Sequence, residues 1–337
     1  MKTFFIADIA ANHDGDLNRA KKLCELAKES GADAAKFQHF KAETIVNDNG
    51  FRSLGGQSHQ ANWKKSVYET YEDASVPLDW TPELKIHCDK IGIDFFTTPY
   101  DINYVDELDK YVSMYKIGSG DITWIEMIKK IASKGKPVII ASGASDIEEV
   151  IKAMNALSEF DIPKVLMQCN TNYTADNENF KYINLNVLKT FSVLFPNIVL
   201  GLSDHTFGDE TVLGAVSLGA KYIEKHFTDD NHRNGPDHPF SMNPKTWSEM
   251  VKRTRTLELA LGTTIKKVED NELETIVLQR RSIRLNKTLS KGSVIKKEDI
   301  SFLRPCPKDA LSLSINPVGK KIKRDIKINE YLKKNDL

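Results

Sequence analysis

Gly201-Leu202-Ser203-Asp204-His205-Thr206 and Tyr222-Ile223-Glu224-Lys225-His226-Phe227-Thr228 are two apolar runs that end in polar groups, and each delivers one histidine at its C-terminal end. Short apolar runs bounded by turn signals read as buried strands, and in a parallel α/β protein ligands meet the loops at the C-terminal strand ends. Two imidazoles on adjacent strand ends, with Asp204 and Glu224 beside them, form a divalent-metal site with open positions. A lone histidine in such a place reads more simply as a polar residue closing a strand. The matched pair, followed by Gly235-Pro236-Asp237-His238, favours the metal.

The alternation continues on both sides of these runs. Upstream, residues 3–8 and 32–38 are strand-like and flank a helical pattern over 17–30, carried by Leu17, Ala20, Leu23, Cys24 and Ala27 and stopped by Gly31. From Trp80 the pattern predicts helix 80–91, strand 93–98, helix 101–110, strand 113–118, helix 122–133 and strand 137–142. Helix 146–159, strand 164–169, helix 181–194, strand 198–203, helix 208–218, strand 221–226 and helix 245–261 follow. Strands alternating with helices predict a parallel sheet with right-handed crossovers, and about eight such units make a (β/α)₈ TIM barrel. A doubly wound open sheet is the alternative, weakened because no Gly-rich turn follows the first strand. Residues 41–79 are a polar excursion with Gly55-Gly56, read as a substrate-covering loop. The barrel is therefore assigned to residues 1–262, a polar linker to 263–277 and a small module of short β-like runs to 278–337. A module that short is expected to pack on the barrel or on a partner subunit.

Composition excludes several function classes. The 337 residues are 40% hydrophobic and 28% charged, enough for a sizeable core and too ordered a composition for a disordered chain. Lys and Arg number 47 and Asp and Glu 47, so nothing argues for bulk attraction to nucleic acid or an anionic membrane. Cys24, Cys88, Cys169 and Cys306 are scattered, with no C-x-x-C pair, and read as reduced thiols of a cytoplasmic protein. The N-terminus runs directly into a strand pattern, and no apolar run approaches membrane-spanning length.

The strand ends carry the chemistry. They present Asp8, Lys36 with Gln38, Thr97-Thr98, Lys116 with Ser119, Ser142, Thr171 with Tyr173, Ser203 with His205, and Glu224 with His226. Lysine tolerates burial poorly without an anionic partner, so Lys36 and Lys116 predict a bound phosphate or carboxylate. Lys36 alone reads equally well as a snorkelling surface residue. Lys116-Ile117-Gly118-Ser119-Gly120-Asp121 is more specific, because its glycines let backbone N–H groups approach an oxyanion while Ser119 donates a further hydrogen bond. A multiply anionic small substrate beside a metal ion satisfies all of these features.

These residues resemble the sialic acid synthases, more broadly the nonulosonic acid synthases. The resemblance runs in order through Ala11-Asn12-His13-Asp14-Gly15, Lys36-Phe37-Gln38, Thr97-Thr98-Pro99, Tyr115-Lys116-Ile117-Gly118-Ser119-Gly120, Gly201-Leu202-Ser203-Asp204-His205-Thr206, Glu224-Lys225-His226-Phe227-Thr228 and Gly235-Pro236-Asp237. The tail with Leu303-Arg304-Pro305 is similar to that family's antifreeze-like SAF domain. The resemblance implies condensation of phosphoenolpyruvate with an open-chain N-acyl hexosamine to a nine-carbon 3-deoxy-2-ulosonic acid plus phosphate. It implies a divalent metal on His205 and His226, most simply Mn2+, with Mg2+ or Co2+ as alternatives. Lys36, Thr98, Lys116, Ser119 and Ser203 would hold phosphoenolpyruvate, and Gln38, Asn62, Tyr173, Glu224 and Asp237 would face the sugar. Asp8, Lys36, Lys116, Asp121 and Glu224 are the expected catalytic groups, with Ser142 and Thr171 as further substrate contacts. Arg304 would reach the partner subunit's site in a domain-swapped homodimer; read on its own it is a solvated surface charge.

Four departures qualify the match. Asp8 and Asp121 stand where the family commonly has glutamate, each shorter by one methylene, on the order of 1.5 Å of reach. Ala141 stands where many members have serine, with Ser142 its neighbouring substitute, and Asn170-Thr171-Asn172-Tyr173 replaces the usual pattern before the tyrosine. These sit near the sugar and the phosphate, leaving N-acetylmannosamine and a 2,4-diacetamido-6-deoxyhexose both open. Three competing readings remain: a Schiff-base aldol lyase on the same sugars, a non-catalytic sugar-binding homologue, and an ice-binding module, against which the many lysines and arginines of 278–337 argue.

Overall fold

The computed structural model of the chain describes residues 2–55, 60, 63–173 and 176–337. Eight parallel strands close into a barrel in chain order: β1 (Phe4–Asp8), β2 (Ala34–His39), β3 (Asp94–Pro99), β4 (Tyr115–Ile117), β5 (Val138–Ala141), β6 (Lys164–Cys169), β7 (Val199–Asp204) and β8 (Tyr222–His226). Closure is made by β1 pairing with β8 from Phe4↔Tyr222 to Asp8↔His226. The predicted TIM barrel is therefore observed, and the open-sheet alternative falls.

The strands are short and almost wholly buried, with Phe5, Phe37, Phe95, Phe96 and Phe227 fully enclosed. Each such side chain contributes about 1.5–3 kcal/mol of transfer free energy. The outer helices have definite starts. Asp16 caps α1 (Leu17–Glu29) by accepting from Asn18 and Arg19, and Asp146 caps α8 (Ile147–Ser158) through a reciprocal box with Glu149. The last barrel helix begins at Pro244, which needs no amide partner there, and buries Trp247 beside Phe227 with ring centroids 5.5 Å apart. Gly201 is required where β7 packs between its parallel neighbours: a Cβ there would meet the carbonyl oxygen of Tyr222 on β8 at 2.7 Å and Met167 on β6 at 3.0 Å.

Two sequence expectations are corrected. Residues 41–79 are not one irregular loop, since they contain α2 (Ala42–Ile45), α3 (Asp48–Leu54) and α4 (Val67–Ala74). Local capping makes these short polar helices possible: Asn47 accepts from Gly50, and Ser66 and Glu69 form a capping box. The helix expected over 181–194 is split into a 3₁₀ segment at Asn177–Tyr182 and an α-helix at Val187–Leu194.

The described residues divide into two compact units, 1–262 and 263–337. Within the second, β9 (Ser282–Leu285) pairs antiparallel with β10 (Ile300–Leu303) over a small core of Ile283, Leu285, Leu289, Ile295, Leu311, Ile322, Ile326 and Leu332. Residues 263–277, read as linker, include the 3₁₀ turn Asp270–Glu272 and the start of the helix Leu273–Gln279.

Candidate active site

Strands β4 and β8 stand on opposite sides of an eight-stranded barrel, so a side chain from one can touch the other only across the interior. Lys116 Nζ on β4 lies 2.7 Å from Glu224 Oε1 on β8. From β2, Lys36 Nζ lies 2.7 Å from Asp8 Oδ2 and 3.8 Å from Glu224 Oε1, and donates to Thr98 Oγ1 at 3.4 Å. Gln38 Nε2 donates to Asp8 Oδ2 at 3.0 Å, and Ser203 Oγ to Glu224 Oε1 at 3.4 Å. Lys36 and Lys116 are each only 2% exposed, so the snorkelling alternative for Lys36 falls. A TIM barrel ordinarily fills this layer with branched apolar side chains. Here two lysines and two carboxylates occupy it.

The electrostatics follow from that packing. Burial pushes the Asp8 carboxyl up, but Lys36 and His226 outweigh it and hold the group below the usual carboxylate range. Glu224 behaves likewise, with burial overruled by Lys116 and Lys36. Burial pulls the Lys36 ammonium down, and Asp8 and Glu224 more than restore it. Asp8, Glu224 and Lys36 are thus each favoured in the charged form, and Lys116 completes the quartet through its ion pair with Glu224. Its hydrogen bonding stays open, since Glu224 Oε2 is buried without a hydrogen-bond partner among the described residues.

The two histidines lie beside it. Their ring centroids are 5.4 Å apart, and His226 sits between two carboxylates, its Nε2 3.6 Å from Asp8 Oδ2 and its Nδ1 3.6 Å from Asp237 Oδ2. His205 Nδ1 is 3.0 Å from the Asn170 carbonyl oxygen, which as acceptor orients the ring. Tyr173 lies tilted against His205 with ring centroids 4.3 Å apart, and Phe240 meets His226 edge-on at 4.9 Å. Burial lowers the His226 pKa against the pull of Asp8 and Asp237. His226 Nδ1 is a buried atom without a hydrogen-bond partner among the described residues. Among the described residues no group of three or more His, Cys, Asp or Glu side chains is arranged to hold a metal. His205 and His226 are the two imidazoles that this site would offer to a divalent ion.

The other expected site residues are placed less uniformly. Ser119 Oγ accepts from the Gly143 amide at 3.0 Å. Glycine at 143 is what lets the hydroxyls converge: a Cβ there would lie 1.9 Å from Thr171 Oγ1 and 2.8 Å from Ser119 Oγ. Ser142 donates its one proton to the Met167 carbonyl oxygen at 2.9 Å, so it meets a ligand as an acceptor unless that bond breaks. Asp237 accepts from the Ala11 amide at 3.1 Å. The Asp121 carboxyl has no ion-pair partner among the described residues, and burial pushes it up to about 6. Arg304 is an exposed residue of the second unit, at the end of β10. Asn62 lies outside the described residues. A cavity of about 1020 Å³ has Ala11, Asp14, Trp63, Lys64, Arg233 and Pro236 in its wall and none of the quartet. Ala11 links it to the histidines' surroundings, since its amide donates to Asp237.

One expectation is corrected. Asp204 is not beside the histidines: it pairs with Lys225 on the helix-facing side of the strands, because position 204 alternates with 203 and 205. Cys169 was missed as a site residue. Burial pushes its thiol up, but hydrogen bonds to His205 and Ser119 bring it below its ordinary value. It closes β6 in the position from which the other strands present their functional groups.

A closed barrel with a charged interior quartet and a histidine pair at the C-terminal strand ends is the architecture of a TIM-barrel enzyme. The chain belongs to the NeuB family, whose model matches residues 23–266, and a SAF domain matches residues 280–337. It is 38% identical to the N,N'-diacetyllegionaminic acid synthase of Legionella pneumophila over 97% of this chain and 92% of that one. It is 35% identical to the Campylobacter jejuni protein of the same name, over 90% and 91%. The N-acetylneuraminic acid synthetase structure from Leptospira borgpetersenii, in complex with citrate, superposes with a TM-score of 0.71 at 29% identity, covering 82% of this chain and 90% of that chain. No helix among the described residues is long and apolar enough to cross a membrane.

Proposed function

We propose that this chain condenses phosphoenolpyruvate with an open-chain N-acyl hexosamine to a nonulosonic acid and inorganic phosphate. The observation that carries the reading is the buried Lys36–Asp8 and Lys116–Glu224 quartet facing the His205–His226 pair. The two ammonium groups supply charge-assisted hydrogen bonds for a carboxylate and a phosphate, with Thr98, Ser119 and Ser203 adding hydroxyl donors. Carbon 3 of phosphoenolpyruvate bonds to the aldehyde carbon, whose oxygen takes up a proton. Water then adds at carbon 2, left cationic by the bond formation, losing a proton to the unpartnered oxygen of Glu224; phosphate leaves with the electron pair of its bond to carbon 2 as the new hydroxyl gives up its proton and becomes the ketone. A divalent ion held by His205 and His226, Mn2+ being the first choice, would supply Lewis acidity toward the aldehyde oxygen.

Asp8 and Gln38 orient Lys36, and Tyr173 and Asp237 flank the histidines on the side where a sugar would lie. The legionaminic acid synthases among the relatives favour a 2,4-diacetamido-6-deoxyhexose over N-acetylmannosamine. Arg304 from a partner subunit, reaching the N-acyl group in a domain-swapped homodimer, completes the reading, which suits a cytoplasmic enzyme. A Schiff-base lyase needs a neutral lysine. Lys36 is instead held charged by Asp8 and Glu224.

Phosphate release from phosphoenolpyruvate, measured with Mn2+ over a panel of N-acyl hexosamines and with an EDTA control, tests the proposal. Sugar-dependent, EDTA-sensitive release is expected, fastest with the diacetamido sugar. Release that ignores EDTA, or no release from folded, metal-loaded protein, would overturn it.

A further inference from the structure

A second buried ion pair lies directly behind the histidines. Asp204 on β7 and Lys225 on β8 are register partners, and their side chains are 0% and 1% exposed. Lys225 Nζ donates to Asp204 Oδ2 at 2.5 Å and to the Thr206 carbonyl oxygen at 2.6 Å. The Asp204 carboxylate also accepts the Thr206 and Thr211 hydroxyls, each at 2.8 Å, and the Thr206 amide at 3.3 Å. Thr211 belongs to α10 (Glu210–Ser217), so the network ties both strands to the helix outside them.

Its place in the chain is what gives it meaning. His205 is bracketed by Asp204 and Thr206, both members of the network, and His226 directly follows Lys225. A buried ion pair is weak ground for stability, since an apolar pair of similar volume is often neutral or better. A metal pair, by contrast, depends on its ligands being held to within about 0.5 Å by the groups behind them. We propose that Asp204 and Lys225 are positioning residues, which lock β7 to β8 one residue before each histidine and thereby set the imidazole spacing for the ion. The inference rests on the two-histidine reading above.

The test uses the full-length protein and Mn2+ alone, with free Mn2+ followed by electron paramagnetic resonance and folding by thermal melting. Asp204→Asn combined with Lys225→Met removes both charges at nearly constant volume. The expected result is a melting temperature near that of the parent and an Mn2+ Kd raised about 10–100-fold, the usual range for loss of supporting groups behind a metal site. An unchanged Kd in the folded double variant would overturn the proposal. If the double variant does not fold, Thr211→Val decides, because it removes one donor to Asp204 and strands no charge. A few-fold weaker Kd is expected there, and an unchanged one overturns the clamp. His205→Ala and His226→Ala separate the two levels. If they bind Mn2+ as the parent does, the two-histidine reading itself fails; if they lose it while the clamp variants keep it, only the clamp fails.

Discussion

Two buried ion networks stand on opposite faces of the same pair of strands, and they are built on different principles. Behind β7 and β8, the Asp204 carboxylate accepts four donors and every contact is internal to the fold. Inside the barrel, Glu224 and Asp8 hold two lysines while Glu224 Oε2 and His226 Nδ1 have no hydrogen-bond partner among the described residues. A saturated buried network can serve geometry. One with open valences stores desolvation free energy that a ligand releases. The outer network is thus a frame, and the inner one a receptor.

The difference breaks hardest at the histidines. His205→Ala or His226→Ala is expected to lower metal-dependent phosphate release by about a thousandfold, since Lewis-acid stabilisation is worth several kcal/mol. Their melting temperatures should stay near the parent's, because neither ring carries a buried charge pair of the frame. Steady-state rates and melts on the same preparations check this. Near-normal turnover would remove the metal from the site. The frame should respond in the opposite way. Lys225→Met alone strands the Asp204 carboxylate and is expected to destabilise the fold by about 3–5 kcal/mol in urea titrations. Adding Asp204→Asn should restore most of that. A stable single variant would show that the outer pair is not desolvated as drawn.

The inner network was the more legible of the two. Charged residues at the ends of otherwise apolar strands violate the pattern of a barrel core, so Lys36, Lys116 and Glu224 could be picked out before any geometry was known. The eight-fold alternation of short β runs and helical patterns was equally plain, because barrel strands are buried on both faces. The frame was not read, although alternation along Ser203-Asp204-His205 places Asp204 on the face away from the histidine. Adjacency in sequence had stood in for adjacency in space. Similarly, α3 and α4 were hidden within a polar stretch whose apolar content is too low to show a helical period. Their caps were visible as Asn47 and as Ser66 with Glu69. That Cys169 touches His205 follows from the register of β6 beside β7, a pairing between strands that no local pattern contains.

Within the receptor, a smaller effect is expected from Lys116→Ala. It removes one charged hydrogen bond, worth about 1.5–3 kcal/mol, and should raise the KM for phosphoenolpyruvate roughly 10–150-fold. The fold should tolerate it, since Glu224 keeps Lys36 at 3.8 Å and Ser203 at 3.4 Å. Initial rates at saturating sugar give this directly, and an unchanged KM would remove Lys116 from the anion site.

The smallest effect concerns Asp121, the rim carboxyl that has no lysine partner among the described residues. Burial alone pushes it up to about 6. A carboxyl whose folded pKa lies above its unfolded value binds more protons in the folded state across that interval. Its contribution is therefore fully present below about pH 4 and lost as pH rises through about 6. Asp121→Asn is uncharged in both states and should lack this loss, gaining about 1–2 kcal/mol over the parent at pH 7 after allowance for partial exposure. Below pH 4 the two proteins should converge. Urea titrations from pH 4 to 8 check the sign as well as the size. A variant less stable than the parent at pH 7 would mean that Asp121 is held by a cation after all and belongs with Asp8 and Glu224.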